Sequence, residues 1–77
     1  MEITVCYFGL LAETVQKEEE ILDTHANTLG DLRKELLARY PPLKNSTFVM
    51  AQNNEIKSEG EALLQAEVAL FPPFSGG

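Results

Sequence analysis

The sequence has little of what catalytic, metal-binding or membrane-bound chains need. It holds a single cysteine, Cys6, and a single histidine, His25. One cysteine excludes an intramolecular disulfide framework, and no Cys/His spacing outlines a zinc site. No glycine-rich phosphate loop is present. No apolar run approaches the ~20 residues required to span a bilayer. The opening Met1-Glu2-Ile3-Thr4 lacks the basic and apolar regions of a secretory leader, so the expected compartment is the cytoplasm. Basic residues are scarce, six against twelve acids, for a net charge of −6. That balance disfavours nucleic acid and membrane surfaces as partners. It suits a partner with a basic surface, while also serving plain solubility.

What is present fits one small globular domain, residues 1–77. A chain of this length buries only roughly 60% of its unfolded surface, enough for a small core without staples. The hydrophobic content of 44% is in the ordinary globular range and argues against global disorder.

The periodicity predicts a first strand over Glu2–Phe8, with Ile3, Val5 and Tyr7 on one face and Thr4, Cys6 and Phe8 on the other. Gly9 ends it. Leu10–Val15 is either a short turn of helix or a wide hairpin loop. A second strand is expected over about Glu18–Asp23, and its successive acids suit a solvated sheet edge. Thr28 is a candidate helix N-cap with Asp31 in the first turn. Leu29, Leu32, Leu36 and Tyr40 then form a helical stripe widened by Leu37, which Pro41-Pro42 terminates. Thr47–Gln52 reads as a third strand, Asn53-Asn54 as a turn and Glu55–Lys57 as a short return strand. Ser58–Gln65 reads as loop or a brief helical turn. Glu67–Phe71 reads as the last strand, with Val68 and Leu70 facing away from Glu67, Ala69 and Phe71.

A hairpin followed by one helix in so short a chain places that helix across one face of a mixed sheet. The first and last strands can then pair in parallel at the sheet centre through a right-handed crossover. This is an α+β, β-grasp (ubiquitin-like) arrangement. A ferredoxin-like alternative requires a second long helix, which residues 55–66 do not supply.

The usual catalytic devices are missing. His25 lies in a predicted loop with no base or nucleophile constellation and reads as a surface residue. Cys6, in mid-strand, reads as a small half-buried hydrophobe, with nothing nearby in sequence to lower its pKa. The run Glu18-Glu19-Glu20 reads as a solvated edge rather than a metal site.

Attention therefore falls on the last residues. A strand leads into Pro72-Pro73, which forbid further ladder bonding and make a stiff, extended segment. Six residues follow Phe71, a reach of roughly 20 Å at ~3.3 Å each. Gly76 and Gly77 gain nothing from burial, but their bare backbone can enter a channel too narrow for side chains. A carboxylate is unreactive until activated, for instance as an acyl-adenylate. The segment from about Pro72 to Gly77 is expected to be a flexible tail built as a substrate. If the first and last strands adjoin, Phe8 and Phe71 form an apolar patch beside it, a favoured kind of docking surface.

At these residues the chain resembles the small subunit of molybdopterin synthase, a ubiquitin-like sulfur carrier. Val68-Ala-Leu-Phe-Pro-Pro-Phe-Ser-Gly-Gly77 is similar to that family's terminal signature. Tyr7-Phe8-Gly9 followed by Glu13 resembles its first strand and the loop after it. The order of elements, the leucine-rich helix and the length agree along the whole chain. Two positions depart from the pattern. Ala12 stands where an arginine often precedes the glutamate, and Leu64-Gln65-Ala66-Glu67 replaces the usual Asp-Gly-Asp/Glu before the last strand.

The resemblance implies that an adenylating enzyme activates the Gly77 carboxylate with ATP and magnesium, and that a sulfur donor converts it to a thiocarboxylate. The tail then delivers sulfur to cyclic pyranopterin monophosphate inside the large subunit, which supplies the catalytic groups, in an assembly of two large and two small subunits. By that resemblance Gly77 carries the sulfur and Gly76 threads the pocket. Phe8, Phe71, Pro72, Pro73, Phe74 and Ser75 meet the partner, and this chain binds no cofactor. A thiamine-thiazole sulfur carrier and a protein modifier attached through Gly77 are the competing readings.

Overall fold

The computed structural model describes residues 1–64 and 66–73. The elements, in chain order, are β1 (Glu2–Tyr7), α1 (Leu10–Val15), β2 (Glu19–Asp23) and α2 (Leu29–Arg39). A 3-10 turn (Pro41–Asn45), β3 (Val49–Gln52), β4 (Glu55–Lys57) and β5 (Glu67–Phe71) complete the order. The five strands form one mixed sheet in the order β2-β1-β5-β3-β4. β1 and β5 are parallel neighbours in its interior, with Thr4 opposite Glu67 and Tyr7 opposite Leu70. The other pairs are antiparallel. This is the β-grasp arrangement predicted from the pattern.

Strand alternation sorts residues onto two faces. Ile3, Val5 and Tyr7 of β1, Leu22 of β2, Met50 of β3 and Val68 and Leu70 of β5 are buried. They join Leu29, Leu32 and Leu36 of α2 in one core. Thr28 caps α2, its Oγ1 accepting from the Asp31 N–H at 3.1 Å. The stretch left open as helix or loop is helical. α1 buries Leu11 and Val15, and Gln16 in the left-handed region (φ 63°) closes it. Asn53 and Asn54 both adopt positive φ, 54° and 62°, in the β3–β4 turn. Asparagine tolerates that region where β-branched residues would not.

Three details differ from the sequence expectation. β3 starts at Val49, not Thr47, because Val49 pairs with Phe71 and Pro72 beyond it has no N–H to extend the ladder. Phe48 is instead buried, with the Arg33 guanidinium 4.1 Å over its ring. The prolines after α2 do more than stop it, because they start a 3-10 turn that drives Leu43 into the core. The third difference concerns the acidic run. Glu18 and Glu19 are exposed on the sheet edge, but Glu20 turns inward. Its Oε2 accepts from Tyr7 Oη at 2.6 Å and Tyr40 Oη at 2.5 Å. Lys17 Nζ lies 3.8 Å from its other oxygen.

This clasp ties β1, β2 and the end of α2 together. Burial of the Glu20 carboxyl opposes its charge. The hydroxyls of Tyr40 and Tyr7 donating to it, with Lys17 and Arg39 nearby, nevertheless hold it below the usual glutamate value of 4.5. Burial, then the bond to Glu20, pushes the Tyr7 hydroxyl far above the tyrosine range. A depressed carboxyl binds its proton more weakly in the folded state than in the unfolded one. Its stabilisation is therefore complete above 4.5 and fades as pH falls through the folded value. Glu20→Gln is expected to cost about 1–3 kcal/mol at neutral pH, because two phenols lose a charged acceptor. It should also flatten the acid limb of stability against pH. Urea titrations of both proteins across pH 2 to 7 check this, and parallel acid limbs would remove Glu20 as their source.

Candidate tail-exit and docking site

The site is built where β1 and β5 end side by side. The Phe8 N–H donates to Leu70 O at 3.1 Å, extending the parallel ladder one residue past β1. Phe8 and Phe71 therefore leave the sheet on the same face. Their rings stack with centroids 4.7 Å apart and planes 7° from parallel. Phe8 is 45% exposed and Phe71 half-buried. The sequence placed these two residues in one patch conditionally on strand adjacency, and the structure supplies that adjacency.

The face behind them is the sheet face opposite α2. The ladder registers align Glu19, Cys6, Ala69, Ala51 and Ile56 in a row across it. Ile21 and Ile56 are exposed there at 70% and 54%. A shallow depression of about 290 Å³ runs from Phe71 past Ala69 to Ala51 and Ile56, rimmed by Glu67. Ile56 was read in the sequence only as part of a short return strand. The Ala51↔Ile56 register is what brings it to this face.

Cys6 lies half-buried in the same row, its Sγ 3.9 Å from Glu19 Oε2. Burial, then the charges of Glu67 and Glu19 and the contact with Glu19, raise its thiol pKa above the usual value. The thiolate is disfavoured, so Cys6 has no nucleophile's environment. His25 is exposed. Among the described residues, no three His, Cys, Asp or Glu side chains converge as metal ligands. Among them too, no helix is long and apolar enough to cross a membrane.

Beyond Phe71 the chain leaves the sheet through Pro72 and Pro73, both exposed. The tail residues Phe74, Ser75, Gly76 and Gly77 lie outside the described residues, as does Gln65 before β5. One residue of the site was missed in the sequence. Gly9 was read merely as the end of β1, yet it has φ +60°. An added Cβ there would stand 3.0 Å from Pro72 Cγ.

With this geometry in view, comparison with known proteins is decisive. The ThiS family model matches residues 5–77. The chain belongs to the ThiS family. It is a ubiquitin-like sulfur carrier of the type that includes molybdopterin-converting factor subunit 1. Solved structures agree on the fold. SAMP1 from Haloferax volcanii, a small archaeal modifier protein, is 28% identical with full coverage of both chains and a TM-score of 0.80. A putative molybdopterin converting factor subunit 1 from Pyrococcus furiosus is 22% identical, with a TM-score of 0.85. That match covers 96% of this chain and 99% of the other. A chain in the complex of subunits 1 and 2 of the Helicobacter pylori molybdopterin-converting factor is 26% identical over both full lengths, with a TM-score of 0.67.

The two sides of the carrier's β1–β5 end differ sharply in burial, which yields a test. Leu70→Ala, from a fully buried position, is expected to cost about 2–5 kcal/mol. Phe8→Ala loses chiefly the exposed stack and should cost about 0.5–1.5 kcal/mol. Urea unfolding midpoints measure both. Equal losses would make Phe8 a core residue instead of a surface one.

Proposed function

We propose that this carrier is the small subunit of molybdopterin synthase and that the Gly77 carboxylate is the group that bears sulfur. The observation that carries the reading is the run Pro72-Pro73-Phe74-Ser75-Gly76-Gly77 issuing from a central strand. The full-length likeness to a chain of the Helicobacter pylori complex supports it. In this reading a Gly77 carboxylate oxygen attacks the α-phosphorus of ATP on a magnesium-dependent adenylating enzyme, and pyrophosphate leaves. Hydrosulfide supplied by the sulfur donor then attacks the acyl carbon and AMP leaves, giving the thiocarboxylate directly. The large subunit takes the tail, with Gly76 threading its channel, and transfers the sulfur to cyclic pyranopterin monophosphate.

Each part of the chain has a role in this scheme. Phe8 and Phe71 with the depression beside them dock on the partners. Pro72, Pro73, Phe74 and Ser75 span the distance from docking surface to active site. ATP and magnesium belong to the activating enzyme, and the catalytic groups belong to the large subunit. A modifier role uses the same tail, with a lysine amine replacing sulfur as the nucleophile. The likeness to SAMP1 favours that as the second reading, while thiazole sulfur transfer is a third use of the same thiocarboxylate.

Incubation with the cognate adenylating enzyme, ATP, magnesium and a sulfur donor is expected to exchange one oxygen of the chain for sulfur by intact mass. Addition of the large subunit and precursor should then return the carboxylate with an oxygen from water, two sulfur-loaded chains being consumed per dithiolene formed. Deletion of Gly77, or one residue added after it, should abolish the exchange while leaving the unfolding midpoint unchanged. An unmodified mass under these conditions defeats every carrier reading. Isopeptide adducts without sulfur gain would transfer the assignment to the modifier.

A further inference from the structure

Every carrier reading needs the tail to leave the sheet in a direction the partner's active site can accept. The local geometry at its root is unusual. Gly9 follows Phe8 with φ +60° and ψ −138°, a combination that suits glycine and strains L side chains. Its missing side chain is also what leaves room for Pro72, since a Cβ at Gly9 would lie 3.0 Å from Pro72 Cγ and 3.5 Å from Pro72 Cδ. Contacts of 3.0 Å between carbons fall inside the optimal 3.5–4.0 Å separation.

The seat is rigid on both sides. Before it, the Phe8 N–H is bound to Leu70 O, and the Phe8 ring stacks on Phe71. After it, the Phe8 and Gly9 carbonyls accept from the N–H groups of Leu11 and Ala12, each at 3.2 Å, so the start of α1 holds Gly9 in place. Pro72 in turn has its own φ fixed by its ring. A methyl group at Gly9 thus cannot be absorbed by a floppy neighbour. Pro72 or the start of α1 must give by a few tenths of an ångström to admit it.

We infer that Gly9 is a positioning residue, and that its bare Cα is the seat against which Pro72 sets the exit direction of the reactive tail. The inference rests on the reading of Gly77 as the reacting group. It assigns a task to a residue that touches neither substrate nor nucleotide. Docking through the sheet face is left intact when the seat is filled, so the defect belongs to tail delivery and not to partner affinity.

Steady-state adenylation by the cognate activating enzyme, with this chain as the varied substrate, separates the two. Gly9→Ala is expected to lower kcat about tenfold or more with KM unchanged, the signature of a misdirected reactive end. Pro72→Ala alone, which takes the ring off the seat but creates no clash, should also lower kcat, by less than Gly9→Ala does. The double variant Gly9→Ala/Pro72→Ala should recover to within about threefold of Pro72→Ala, since neighbours that share one contact are not additive. An undiminished kcat for Gly9→Ala, or a double variant as slow as Gly9→Ala, overturns the inference. A loss confined to KM overturns it as well. Should Gly9→Ala fail to fold, the unsubstituted protein still decides. A nuclear Overhauser contact between the Gly9 α-protons and the Pro72 ring is expected, and its absence is fatal. If the parent chain itself is not adenylated, the tail reading falls and the inference with it. A parent that is adenylated beside an equally active Gly9→Ala defeats the inference alone.

Discussion

The rest of the structure depends on the parallel pairing of β1 with β5. It puts two segments from opposite ends of the described chain in the middle of the sheet, where both are covered on one face by α2. Parallel strands run in the same direction, so both end at the same sheet margin. That is why Phe8 meets Phe71, why Gly9 meets Pro72, and why the exposed aromatic pair and the exit through Pro72 are contiguous. An antiparallel last strand in the same place would deliver the tail to the opposite margin, away from α1 and the aromatic pair.

The division of labour between the two sheet faces follows from the same alternation. One face is spent wholly on the core, with Val5, Val68 and Leu70 at no exposure. The other carries Cys6, Ala69 and Ala51, small side chains that build no core of their own, between aromatic and aliphatic residues that stay partly exposed. Burial, then the charges of Glu67 and Glu19 at its border, raise the cost of ionising Cys6.

Much of this was legible in the sequence because the relevant signals are local. Leucine spacing with Thr28 and Pro41 fixed α2, period-two alternation fixed β1 and β5, and the Asn pair fixed a turn with positive φ. The readings that fell short involve partners far apart in the chain. Glu20 looked like its exposed neighbours, since nothing local reveals two tyrosine hydroxyls arriving from β1 and from the end of α2. The start of β3 depends on where β5 loses its donors. Gly9 resembled a simple strand terminator because its reason, the ring of Pro72, is visible only after the fold brings β5 alongside. The aromatic pair was accessible because the strand phases were, once the parallel pairing was inferred.

The order of the strands also constrains how the chain reaches this state. β5 lies between β1 and β3, so until it arrives those two strands have open edges facing a gap the width of one strand. Closing that gap pairs β5 with β3, a short way back in the chain, and with β1, nearly the whole chain away, and the second, non-local closure is slow compared with local helix formation. During that interval the hairpin and α2 can form first, while the sheet stays divided. The strand from which Pro72 and Pro73 issue is therefore the one that closes the sheet. A chain in which β5 is seated has, by that fact, joined the two halves of its sheet.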